Sequence, residues 1–187
     1  MRRRDEDKQQ RIKNAIVCVT LREGINGASI AKIAQEAEVS PATIYVYYQN
    51  KDEMLRKVFK EFSHQSYVYM MQCVSPEMNG PELIESMIRG IYKYTVEHEE
   101  AFSFVEQCSR CPSLARAVCD TDCCCDVFDL IHMYQSRGIV RNMSDFTLSS
   151  VLFPPVRYLA VNCRNYGFDA NKELAELVSL MQDLLLI

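Results

Sequence analysis

Apolar positions first recur at helical spacing within residues 5–23, where Ile12, Ala15, Ile16 and Val19 follow i, i+3, i+4, i+7. The pattern predicts one amphipathic helix, stopped by Gly24 and Gly27. Ser29 then stands where an N-cap belongs, ahead of a short helix with Ile30, Ile33, Ala34 and Ala37 on its inward face. Glu38 and Val39 form a tight break. Ser40 is a second N-cap, and Pro41 takes the first helical position, where its missing N–H costs nothing. A third short helix is predicted from Pro41 to about Tyr47. Asn50 caps a fourth over 51–73, with Glu53 three residues on, as a capping box prefers. Further helices are predicted at roughly 82–97, 99–109, 113–136, 145–165 and 171–186, punctuated by Pro76, Gly80, Pro81, Pro112, Gly138 and Gly167. No segment alternates with a period of two between hairpin turns. The chain therefore reads as all-α, with about nine helices.

The first three predicted helices occupy about 48 residues, and the last two of them share a very short turn. That is the helix-turn-helix arrangement. Two helices crossing steeply need small side chains where their backbones approach, and Ala34 and Ala37 supply them. Val39 and Ile44 plug the space between. The expected division is a helix-turn-helix head over 1–50 and a helical body over 51–187.

Composition narrows the class. Apolar residues make up 48% and charged residues 25%, which suits a globular chain rather than a disordered one. No apolar run reaches the length a bilayer requires. The basic start, Arg2, Arg3 and Arg4, is not followed by the apolar stretch of a signal peptide, so a cytoplasmic protein is expected, with no membrane partner. The net charge of −4 hides a split: residues 1–60 carry +4 and residues 61–187 carry −8. A basic head on an acidic body suits a head that meets a polyanion. Enzyme signatures are missing: there is no nucleophile elbow, P-loop or GxGxxG, and His64, His98 and His132 stand in no catalytic spacing. Neither an enzyme nor a cofactor is expected.

Residues 29–55 read SIAKIAQEAEVSPATIYVYYQNKDEML. This resembles the N-terminal domain of the TetR family: a Ser or Thr cap, Ile-Ala opening helix two, Val-Ser in the turn, Thr-x-Tyr-x-Tyr-Phe, then Lys-x-x-Leu opening helix four. Two positions depart from the pattern. Glu38 stands where Gly is usual, which implies a strained or shifted turn, and Tyr48 replaces Phe. The likeness fades after about residue 60. By this resemblance Ala31, Pro41, Ala42, Thr43, Tyr45, Tyr47 and Lys51 occupy DNA-facing positions.

Physical chemistry points the same way. A helix entering the major groove offers its N-terminal residues to base edges, here Ser40, Pro41, Ala42 and Thr43. Tyr45 and Tyr47 have phenol groups suited to phosphate oxygens. Lys51 lies in the first turn of helix four, where its charge opposes the helix dipole unless an anion sits nearby. Ser29, at a helix start, can offer its hydroxyl and adjacent N–H groups to a phosphate. Double-stranded DNA is the expected partner.

For the body, the resemblance implies an effector cavity and a dimer. Residues that could line a cavity for an apolar or aromatic effector are Phe62, Tyr67, Met70, Met87, Ile91, Tyr94, Phe102, Val105, Phe128, Ile131, Tyr134 and Tyr158; ordinary core packing is the competing reading. The last two helices carry apolar stripes suited to a four-helix bundle with a second copy. Leu148, Leu152, Leu159, Leu174, Leu177, Val178, Met181 and Leu185 are the expected interface residues. Nine cysteines are many for 187 residues, and reduced thiols are expected. Cys108, Cys111, Cys119 and Cys123 could form a thiol switch, with Arg110 lowering a thiol pKa. A soft-metal site and incidental buried thiols are the alternatives. The expected function is a ligand-released DNA-binding repressor. Control by thiol oxidation, a metal or a protein partner is the second reading.

Overall fold

A computed structural model describes residues 2–114 and 125–187. Nine helices lie wholly within them: α1 (Arg2–Gly27), α2 (Ile30–Glu36), α3 (Pro41–Tyr47), α4 (Lys51–Cys73), α5 (Gly80–Glu97), α6 (Glu99–Ser109), α7 (Cys125–Ser136), α8 (Asp145–Tyr166) and α9 (Ala170–Leu185). Among the described residues no strand forms; a single antiparallel bridge joins Val140 to Leu186. The all-α expectation holds, and α3 and α4 begin and end where the caps and periodicity place them. No described helix is long and apolar enough to cross a membrane.

The chain packs as two compact units. One takes in the chain up to His64 and the segment from Glu100 onward; the other holds Gln65–Glu99 and the C-terminal helices. Position 50, the expected edge of the head, therefore falls inside the first unit. Its apolar core continues along α4 through Met54, Leu55, Val58 and Phe59, and gathers Phe104, Cys108 and Leu114 as well as Ile12, Ile16, Ile33 and Ile44. Burying each large apolar side chain stabilises the fold by about 1.5–3 kcal/mol. Lys13 of α1 reaches Glu61 of α4 at 2.5 Å.

α1 follows its predicted apolar face, with Ile12, Ile16 and Val19 all fully buried. Gly24 breaks it: at φ 76° and ψ 165° it leaves helical geometry, in a region that a side chain would strain.

In the second unit α5 packs on both α8 and α9, and α9 on α8. Asn79 and Glu82 form a complete capping box at the start of α5. Gly80 follows, where an added methyl would stand 2.7 Å from Ile139 and 2.9 Å from Leu186. The core here is Leu83, Met87, Ile88, Ile131, Tyr134, Leu148, Leu152, Val156 and the inner stripe of α9. Pro154 and Pro155 lie inside α8 without ending it.

Candidate nucleic-acid interface

The turn between α2 and α3 explains how a seven-residue helix is held. The Val39 N–H reaches the Ala34 carbonyl at 2.9 Å, and the Glu38 N–H reaches the Gln35 carbonyl at 3.1 Å. These are the two bonds of a Schellman motif, with Glu38 at its left-handed position. Glu38 has φ 53°, the one non-glycine with positive φ among the described residues. The turn is therefore not shifted: glutamate adopts the geometry that glycine takes at no cost. An L-residue pays roughly 1–2 kcal/mol for it. The Arg11 guanidinium lies 3.7 Å from the Glu38 carboxylate, too exposed to offset much of that cost.

The Thr43 N–H donates to the Ser40 hydroxyl oxygen at 3.2 Å, and Pro41 occupies the first turn. Ile44 is fully buried and anchors the helix. What remains outward is Pro41, Ala42, Tyr45 and Val46, with Thr43 and Tyr47 half-buried. Thr43 and Ser40 also share a hydroxyl contact of 3.0 Å. Tyr45 is 56% exposed and Val46 78%. Tyr47 packs against the core rather than standing free of it. Val46 went unremarked in the sequence. The signal was there: it lies four residues after Ala42, hence on the same helix face.

Around α3 the expected residues do gather. Ser29 caps α2, taking the Lys32 N–H at 3.3 Å, and Ala31 is exposed one residue into the helix. Asn50 caps α4 by accepting the Glu53 N–H at 2.9 Å, while the Glu53 carboxylate takes the Gln49 N–H instead of closing a box on Asn50. A Lys57 hydrogen bond and that Gln49 amide hold Glu53 below the usual carboxylate range. The Lys51 ammonium donates to the Asn26 carbonyl at 3.2 Å, just before α2. One of its three donors is thus spent within the fold, and the charge is fixed close to the α2 start rather than left swinging. Tyr48 is buried, and burial pushes its hydroxyl up to about 12, so it stays neutral.

Comparison with known proteins decides what this head is. Residues 18–58 match the family model for bacterial regulatory proteins, tetR family. An uncharacterised HTH-type transcriptional regulator from Haemophilus influenzae is 27% identical over 184 residues, 95% of both chains. The head is that of the TetR family. The protein is a DNA-binding transcriptional regulator. Its fold is that of a TetR family transcription regulator from Marinobacter aquaeolei, with a TM-score of 0.86, 22% identity and coverage of 100% and 99% of the two chains. A fatty acid metabolism regulator protein from Bacillus subtilis is 31% identical over 81 residues, 43% of this chain and 42% of its own.

The body departs from expectation in three places. Leu148, Leu152, Leu174, Val178, Met181 and Leu185 were expected at a dimer interface. They are only 0–6% exposed and form the protomer's own core. The stripe on α9 is broad because it has two halves. The inner half faces α5 and α8. The outer half carries Leu180 and Leu184, 65% and 51% exposed. Leu159 and Leu177 are half-buried between the two halves. With Tyr158, Tyr166, Phe168 and the ring edges of Pro154 and Pro155, they line an open groove of about 860 Å³ along α8 and α9.

The expected cavity residues do not form one set. Phe62, Phe102 and Val105 belong to the first unit, where Phe62 packs edge-on against Phe104 at 6.1 Å. Met70, Met87, Ile91, Tyr94 and Ile131 are buried in the second, with Tyr67 and Phe128 packed against its core. Tyr134 is a structural post: its hydroxyl donates to the Met78 carbonyl at 2.6 Å. Tyr158 is 73% exposed and belongs to the outer groove. Aromatic and methionine side chains serve cores and cavities alike, so composition could not separate them.

Of the cysteines, Cys119 and Cys123 lie outside the described residues. Cys108 is buried and Cys111 partly exposed. Arg110 does not act on them as expected, because its guanidinium pairs with Glu106. The Ser113 hydroxyl is instead the main group that lowers the Cys111 thiol. No group of three or more metal-binding side chains occurs among the described residues.

Proposed function

We propose that the protein is a repressor that binds a two-fold symmetric duplex operator as a homodimer, one α3 helix in each of two successive major grooves. The observation that carries this is the outward face of α3: Ala42, Tyr45 and Val46 exposed on a helix fixed from behind by Ser40, Ile44 and the Schellman turn. Ala42 and Val46 suit thymine methyl groups, Thr43 a base or phosphate, and Tyr45 and Lys51 phosphate oxygens. Two heads must sit about 34–36 Å apart to reach both half-sites. A second copy supplies the other head. The apolar outer face of α8 and α9 supports that pairing, since rings and leucines exposed at 51–73% mark a surface that gains by being covered.

The effector in this reading is an apolar or aromatic small molecule bound among the body helices, which shifts the head spacing and lowers DNA affinity. The methionine-rich second core supports it, as does the Bacillus subtilis relative named for fatty acid metabolism. Coupling of roughly 1–3 kcal/mol would suffice.

The test is selection of duplexes from a random pool, followed by fluorescence anisotropy between about 50 and about 200 mM salt. A palindromic consensus with steep salt dependence is expected. A protein with no salt-sensitive affinity for any duplex would end the regulator reading.

A further inference from the structure

The first unit contains a cysteine pair that DNA binding leaves unused. Cys108 closes the last turn of α6, and the Cys111 N–H donates to the Cys108 carbonyl at 3.0 Å. One tight turn thus separates them. Residues i and i+3 across such a turn lie within about 7 Å at Cα, the range a disulfide spans. Their surroundings differ. Cys108 is fully buried in the apolar core with Met54, Leu55, Ile44 and Tyr48. Cys111 is partly exposed, its sulfur 3.2 Å from the Ser113 hydroxyl. The backbone N–H groups of Ser113 and Leu114 also face that sulfur and favour the thiolate, while Asp52 at the start of α4 and partial burial oppose it. Burial pushes the Cys108 thiol up to about 12, so it stays protonated. One thiol is accessible and activated; its neighbour is withheld until the first has reacted.

We propose that Cys111 and Cys108 form a reversible oxidation site for hydroperoxides, with Cys111 as the attacking thiol and Cys108 as the resolving one. The Cys111 thiolate attacks the terminal oxygen of ROOH. The O–O bond breaks, the leaving alkoxide takes a proton to become ROH, and Cys111 becomes a sulfenic acid. The Cys108 sulfur then attacks the Cys111 sulfur. The S–O bond breaks, and hydroxide leaves with the Cys108 proton as water. Two thiols lose two electrons in total, and the hydroperoxide is reduced to alcohol and water. Closing the bridge draws the Cys108 sulfur out of the core that also holds the start of α4, directly after α3. Oxidation therefore loosens the seat of the DNA-reading helix.

The chain carries its own assay. Trypsin cuts after Arg110, between the two cysteines, giving peptides 94–110 and 111–116, each with one cysteine. Hydrogen peroxide applied to the full protein should leave these peptides joined in non-reducing mass spectrometry, and dithiothreitol should separate them. Cys111→Ser, at a partly exposed site, should abolish the linkage; Cys108→Ala should instead leave a Cys111 sulfenic acid that dimedone labels. Duplex affinity of the wild type should fall on the order of tenfold on oxidation, and Cys111→Ser should resist. No linked peptides, or peptide 94–110 joined to another cysteine instead, would overturn the site. Linkage with unchanged duplex affinity would overturn the coupling. The coupling rests on the DNA-binding reading, but the peptide linkage does not, so a protein that binds no duplex when reduced would fail that reading and leave the site standing.

Discussion

Two outward faces of this protein carry exposed apolar side chains, and they are built differently. The face of α3 is small. It mixes a methyl, a valine and a phenol, with the Lys51 charge fixed nearby on the Asn26 carbonyl. Its helix is too short to stand alone and is held by caps at its start and by one buried isoleucine. The face along α8 and α9 is long, built mainly from Tyr158, Tyr166, Phe168 and Leu180 with Glu173 and Glu176 at its border and Leu184 exposed further along α9, on helices rooted in a large core. The first suits a wet, charged partner read at short range. The second suits a dry partner of matching shape. Exposure alone does not identify a partner; what stands beside the exposed group does.

The comparison can be broken most sharply at α9. Leu180→Glu with Leu184→Glu should weaken self-association by at least about 100-fold, roughly 2.7 kcal/mol, seen as monomers in sedimentation, with the thermal midpoint nearly unchanged. Leu174→Ala, one helix face away, should instead cost about 2–5 kcal/mol of folding stability in urea melts. If both changes act on folding alone, the outer face is not an interface.

The head offers the next largest effect. Val46→Ala should cost roughly 1 kcal/mol on the preferred operator and little on unrelated duplexes, measured by anisotropy. Lys51→Ala should weaken binding to all duplexes alike and reduce the salt slope by about one. Loss confined to one sequence would make Lys51 a base reader. The smallest effect lies in the turn. Glu38→Gly should stabilise the fold by about 0.5–1 kcal/mol by relieving the left-handed glutamate, raising the thermal midpoint by a few degrees. A lower midpoint would mean that the Arg11 contact matters more than the backbone.

How much was legible in advance follows from the range of the forces. The bounds of α3 and α4 were legible because Ser40, Pro41 and Asn50 act within one turn of themselves. The role of Glu38 was legible for the same reason, since one backbone angle decides it. Leu177 and Val178 were not distinguishable, although one borders the outer groove and the other fills the protomer core. Burial within a chain and burial between chains use the same chemistry, and only the position of α5 separates them. The pairing of Arg110 with Glu106, by contrast, was legible: the two stand four residues apart at the end of α6, the spacing at which a helix sets an acid beside a base.

Because α3 is secured entirely from its rear and its ends, its outward positions carry almost no share of folding. Ala42, Tyr45 and Val46 can then be exchanged in combination without jeopardising the scaffold. A library diversified at those three sites should yield well-behaved variants with new operator preferences, and the same freedom gives a duplicated gene an easy route to a target of its own.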